Sequence, residues 1–208
     1  MLQMIPALLV AITVVIQCLA VQMSRYRLSR MNARPPHHGL ALMSGMLAAA
    51  AIILRLYQND SAVGVLFMTI MTGCMTLMTL TDAASCRLPR PFTIMYLISG
   101  SAFRLWQGDW LTGLCSAGFW FLLLLLFRQY TSYRRKTETI GLGDVFLIAG
   151  IAIWSPPGDI PWIVATAAGG ALLYLWCNRQ RRITRELPFG PFLCASQYAF
   201  TFYPGGLW

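Results

Sequence analysis

Apolar positions dominate this chain in long runs, and the polar positions gather in the short stretches between them. The runs extend from Leu2 to Met23, Gly39 to Leu54, Ser61 to Thr81, Phe92 to Leu105, Trp110 to Phe127, Asp144 to Trp154, Pro161 to Cys177 and Pro188 to Tyr203. An α-helix needs roughly 20 apolar residues to cross a bilayer. Several runs are shorter than that, so their polar ends must lie inside a bundle or near the interface. The pattern predicts an all-α, polytopic integral membrane bundle of about eight transmembrane helices, with six as the smaller alternative. No repeat, low-complexity tract or long linker interrupts it, so residues 1–208 read as one integral membrane domain.

Composition agrees. Of 208 residues, 57% are hydrophobic and 11% charged, where a soluble domain carries about 25% charged residues; mean hydropathy is +0.60. Leu2 to Met23 holds no charge, whereas a signal peptide would place a basic residue ahead of its apolar core. The segment is therefore expected to stay as the first helix, with its N-terminus outside. Basic residues near short loops mark the cytoplasmic side. Counting spans from outside, the inner loops receive Arg25, Arg27, Arg30 and Arg34, then Arg87 and Arg90, then Arg128, Arg134, Arg135 and Lys136, then Arg179, Arg181, Arg182 and Arg185. These are 14 of the 16 lysines and arginines. Arg55 and Arg104 fall toward the other side, close enough to span ends to snorkel. The net charge of +9 thus reads as a topology signal and a contact for anionic membrane lipid, with no nucleic-acid partner expected. The six cysteines include no C-x-x-C pair, and no disulfide, metal or cofactor is expected.

The seven acidic residues can be placed one by one. Asp60, Asp109 and Asp159 fall in outer loops as solvated turn residues, and Glu138 and Glu186 lie among inner arginines. Asp82 and Asp144 differ, because one closes an apolar span and the other opens one, both on the inner side. An ionisable group there is costly and suggests function. A helix cap is the plainer account. It suits Asp144, at a helix N-terminus, better than Asp82, which meets the unfavourable end of its helix dipole. If the two form a pair, the dipoles favour Asp144 as the ionised member. Thr69, Thr72, Thr76 and Thr79 form one helical stripe leading to Asp82, either helix packing or the wall of a site. The parallel stripe of Met68, Met71, Met75 and Met78 reads as adaptable packing. Gly141 and Gly143 permit close backbone approach before Asp144, and Pro89 and Pro91 stop the helix beyond Asp82. Two neighbouring carboxylates share a proton and can both activate water and polarise a carbonyl, which is what peptide-bond hydrolysis requires. The single lysine, Lys136, and the adjacent pair His37 and His38 give little support to a Ser-Lys, zinc or Ser-His site.

Three separated motifs resemble the type IV prepilin peptidase family of membrane aspartic proteases. They are "DAASCRLP" (Asp82, Leu88, Pro89, with Thr93 beyond), "GLGDVFLIAG" (Gly141, Gly143, Asp144) and "LPFGPFL" (Pro188, Phe189, Gly190, Pro191, Phe192). The resemblance runs from about Thr69 to the C-terminus. It implies Asp82 and Asp144 as the catalytic pair, with Leu88, Pro89, Gly141, Gly143 and Pro188 to Pro191 as support or substrate contacts. It further implies a prepilin or pseudopilin substrate whose short basic leader is removed at the cytoplasmic face of the bacterial inner membrane. The substrate's apolar helix is expected beside the threonine stripe. Two positions depart from the family pattern: Arg90 stands where an acid is frequent, and Phe146 where a lysine is frequent. Long members also carry paired cysteines between the first two spans and N-methylate the product. Here Ser24 to His38 holds no cysteine, which argues against methylation. A catalytically inactive pilus-assembly protein and a small proton-coupled transporter are the alternatives, although a transporter would place its acids near mid-membrane.

Overall fold

The computed structural model describes residues 4–31, 38–57, 61–135, 141–177 and 187–202. Arg34, Lys136, Glu138, Arg179, Arg181, Arg182, Arg185, Glu186, Asp60 and His37, together with the side chain of Arg55, lie outside the described residues. Among the described residues there are eight helices and no strand: α1 (Met4–Arg30), α2 (His38–Tyr57), α3 (Ala62–Ser85), α4 (Arg90–Gln107), α5 (Trp110–Arg135), α6 (Leu142–Trp154), α7 (Ile160–Cys177) and α8 (Gly190–Phe202). Four of them, α1, α3, α5 and α7, are long and apolar enough to cross a membrane, and α2 and α6 are shorter apolar helices. This is a multi-pass helical membrane bundle.

α3 is the central helix. From Met71 to Asp82 every residue is buried, and α1, α2, α4 and α8 all pack against it. The methionine stripe lies in the main core with Phe103, Trp154 and Tyr198, the adaptable packing its spacing predicts. The threonine stripe packs too, against two other helices. Thr13 and Thr69 hydroxyls lie 3.2 Å apart, Gln17 Nε2 donates to Thr72 Oγ1 at 3.2 Å, and Tyr198 donates to the Thr72 carbonyl at 3.3 Å. Small hydroxyl side chains let helices approach and bond across the contact. α1 and α8 therefore close this face, and it is not the open seat for a substrate helix that the sequence suggested.

α6 is the second buried helix, with every residue from Leu147 to Trp154 in the interior. Its crossing with α4 is close because each helix offers a glycine to the other's aromatic. A Cβ at Gly100 would stand 2.8 Å from Trp154 Nε1, and one at Gly150 would stand 2.6 Å from Tyr96 Cδ1. Trp154 Nε1 donates to the Tyr96 carbonyl at 3.1 Å, and the Tyr96 hydroxyl donates to Gln197 Oε1 at 2.6 Å. A buried chain of polar groups thus ties α6, α4 and α8 together.

Arg104 corrects a second expectation. It does not snorkel but is 7% exposed. Its Nε donates to the Ile153 carbonyl at 2.8 Å and its Nη2 to the Ser155 carbonyl at 3.0 Å. It supplies partners for the carbonyls that the end of α6 leaves unbonded. Asp109, expected as a solvated turn residue, approaches Arg104 Nη1 at 3.3 Å.

Candidate active site

Asp82 stands in the last turn of α3. The helix ends at Ser85 and Cys86 takes a left-handed conformation (φ 50°), its N–H bonding back to the Asp82 carbonyl. That turn sends the chain through Leu88 and Pro89 into α4, where Pro91 sits in the first helical turn, the one place a missing N–H costs nothing. Asp144 stands in the first turn of α6, whose cap position is Gly141. α3 and α6 are antiparallel, so these two ends share one side of the bundle.

There both carboxylates line a single cavity of about 520 Å³. Leu88, Gly143, Pro188 and Phe189 contribute to its wall, as do Arg87, Arg90, Thr93 and Phe146. The structure thus brings together at one cavity acids 62 positions apart in the chain. Gly143 lies against Leu88, with room for no side chain: its Cβ would fall 2.8 Å from Leu88 Cβ. Gly141 lies beside Asp144, a Cβ there reaching 3.2 Å from Oδ2.

The third motif has a role that periodicity did not disclose. Leu187 to Phe189 are outside any helix, and α8 starts at Gly190. The Gly190 N–H donates to Asp82 Oδ2 at 2.8 Å. A helix N-terminus offers such unbonded donors to an anion, and glycine is needed for the approach, since a Cβ would stand 2.7 Å from the same oxygen. Each carboxylate therefore has a helix N-terminus against it, α6 for Asp144 and α8 for Asp82. The helix dipoles no longer separate the two acids, contrary to the expectation drawn from α3 and α6 alone. Pro191 occupies the first turn of α8 without lining the cavity.

The two departures both touch this cavity. Arg90 is exposed at its mouth. Phe146 forms part of its wall and packs on Phe121, ring centroids 5.2 Å apart. Among the described residues no group of three or more His, Cys, Asp or Glu could hold a metal ion.

The fold and the cavity define a polytopic helical membrane protein with two aspartates lining one cavity at one end of the bundle. Residues 69–176 match the type IV leader peptidase family, and the chain belongs to that family. It is similar to the prepilin leader peptidase/N-methyltransferase of Burkholderia pseudomallei, in strains 1026b and K96243, at 33% identity over 175 residues. That alignment takes in 79% of this chain and 53% of the relative, so the chain spans about half the length of the curated relatives it matches. No solved structure gives a significant match.

Proposed function

We propose that the protein is a membrane aspartic endopeptidase that removes the N-terminal leader of type IV prepilins or pseudopilins, acting as one domain over residues 1–208. The observation that carries this reading is the shared cavity: Asp82 and Asp144 both line it, with Gly143, Leu88, Pro188 and Phe189 around them. Membership of the leader peptidase family supports the same reaction.

Asp82 and Asp144 act as a proton-sharing pair. The ionised member takes a proton from a water molecule whose oxygen attacks the scissile carbonyl carbon. The protonated member donates to the carbonyl oxygen. When the tetrahedral intermediate collapses, the C–N bond breaks, the proton first taken from water passes to the departing amine, and the proton lent to the carbonyl oxygen returns to the aspartate that donated it. The Gly190 N–H fixes Asp82 Oδ2, which leaves its other oxygen for water or substrate.

The site faces the cytoplasm from the inner membrane, the side on which the arginine-rich loops lie. Those loops hold anionic lipid. The short link between α1 and α2 lacks the paired cysteines of long family members, which argues against methylation of the product. No cofactor or metal takes part.

The test is co-expression with a prepilin encoded nearby, following the mobility shift on leader loss for wild type, Asp82→Asn and Asp144→Asn. Cleavage by wild type alone, with both variants present in the membrane, is the expected result. Cleavage that survives either substitution would return the two acids to the role of helix caps. An inactive assembly protein is distinguished by the absence of cleavage from wild type when a related peptidase processes the same prepilin.

A further inference from the structure

Beyond the carboxylate cavity, Phe146 is a wall of a second space. A groove of about 600 Å³ runs between α4 and α5, floored by α6 and open to the outside of the bundle. α4 and α5 both pack on α6 but diverge enough to leave this slot. Its lining is almost wholly apolar, and small residues stand on all three helices: Ser101 and Ala102 on α4, Ala117 and Gly118 on α5, Ala149 on α6. The one hydroxyl among them is satisfied, Ser101 Oγ donating to the Leu97 carbonyl at 3.0 Å.

Two features identify the occupant. Between lipid-solvated helices the attraction comes from backbone approach over small residues, since lipid tails are as apolar as leucine. The slot carries large apolar side chains too, Ile98, Leu105 and Leu114 among them, but between these stand the small residues of all three helices. The groove also begins where the carboxylate cavity ends, at Phe146, two residues beyond Asp144, and follows α6 to Ile153. Seven residues of helix rise correspond to about 10 Å. A polypeptide held in it would emerge at the aspartates.

We infer that this groove seats a transmembrane helix of the polypeptide cut at the aspartates, with the scissile bond at the helix's end nearest Phe146. The inference rests on the peptidase reading and adds the surface that anchors the substrate. It replaces the threonine face of α3, which α1 and α8 cover.

Photo-cross-linking tests it independently of cleavage. The full chain carrying Asp144→Asn also receives Ile98→benzoylphenylalanine at the groove rim or, as control, Leu172→benzoylphenylalanine on the exposed face of α7. Each is co-expressed with a tagged prepilin-type probe whose leader is followed directly by one apolar helix. Capture of the probe from position 98 well above that from 172, falling at least fivefold when Gly118→Leu fills the slot, is the expected result. Equal capture from both positions, as lipid-like crowding would give, or none from 98, overturns the groove whether or not the Asp144-bearing chain cleaves the probe. Selective capture from 98 with no cleavage by that chain keeps the groove and overturns the peptidase reading instead. If Gly118→Leu does not accumulate, Ala102→Leu fills the slot from the opposite wall and is read the same way.

Discussion

At the scale of single residues, three glycines around the carboxylates differ in how much room they leave. A Cβ on Gly190 would sit 2.7 Å from Asp82 Oδ2 and 3.2 Å from its Cγ, and one on Gly143 2.8 Å from Leu88 Cβ. A Cβ on Gly141 would meet only the end of the Asp144 side chain, at 3.2 Å. Gly190→Ala must move the carboxylate and break its 2.8 Å hydrogen bond. Such misplacement at a reacting centre costs on the order of 100-fold in rate. The expected order of remaining cleavage activity is Gly141→Ala above Gly143→Ala, and Gly190→Ala lowest, measured as initial rates at equal amounts of membrane-inserted protein. Equal rates for Gly190→Ala and wild type would remove Gly190 from the site. Arg90 poses an electrostatic question. Exposed at the cavity mouth, it repels a basic leader, and exposed charge pairs are worth up to about 1 kcal/mol. Arg90→Glu should therefore raise cleavage of a basic-leader probe about threefold at low salt and lose that advantage at high salt, where screening takes over. Asp82 and Asp144 were legible in the sequence because acids at the edges of apolar spans are few and costly. The Gly190 contact with Asp82 could not be read from periodicity, because a hydrogen bond across 108 positions leaves none; the LPFGPFL motif was the signal that marked Gly190, without naming its partner.

At the scale of elements, the helices were readable from apolar runs and their ends from Gly, Pro and Arg, but their partners were not. The threonine stripe correctly gave a buried face of α3, while hydropathy could not say that α1 and α8 would cover it. Arg104 shows the same limit, since depth in the membrane suggested snorkelling and only the neighbouring α6 explains its burial. α6 is 13 residues long and carries Asp144 at one end, so what holds its other end sets the depth of that carboxylate. Arg104 supplies two charge-assisted hydrogen bonds there, of the kind worth about 1.5–3 kcal/mol each when a buried carbonyl is left unpaired. Arg104→Ala should lower the detergent-solubilised melting temperature markedly, by about 2–4 kcal/mol in stability. Arg104→Lys should recover less than half of it, because one ammonium cannot reproduce the fork of a guanidinium. Asp109→Asn, at a half-exposed partner, should cost less than about 1 kcal/mol. A melting temperature unchanged by Arg104→Ala would mean that packing of Trp154 and Tyr96 alone holds the end of α6.

At the scale of the whole molecule, the helix order places the ends of α1, α3 and α5 on one side with the starts of α2, α4, α6 and α8. Asp82 and Asp144 occupy that side, and so do Arg27, Arg30, Arg87, Arg90, Arg128 and Arg134. Arg27 also caps the ring of Phe92 at 5.0 Å, joining the α1 terminus to the start of α4. Gly108 and Asp159 lie at the opposite end. Because Lys and Arg bias short loops toward the cytoplasm while acids contribute little, the end bearing the aspartates should be cytoplasmic. Alkaline phosphatase, which requires an oxidising compartment to form its disulfides, should be active when fused after Gly108 or Gly158 and inactive when fused after Arg87 or Arg135. A reporter fluorescent only in the cytoplasm should give the reverse pattern at the same four junctions. The opposite result would leave the cavity and its pair of acids intact but turn them to the outer face, where a leader retained in the cytoplasm could not reach them. The fusion series therefore tests the side of the membrane separately from the chemistry.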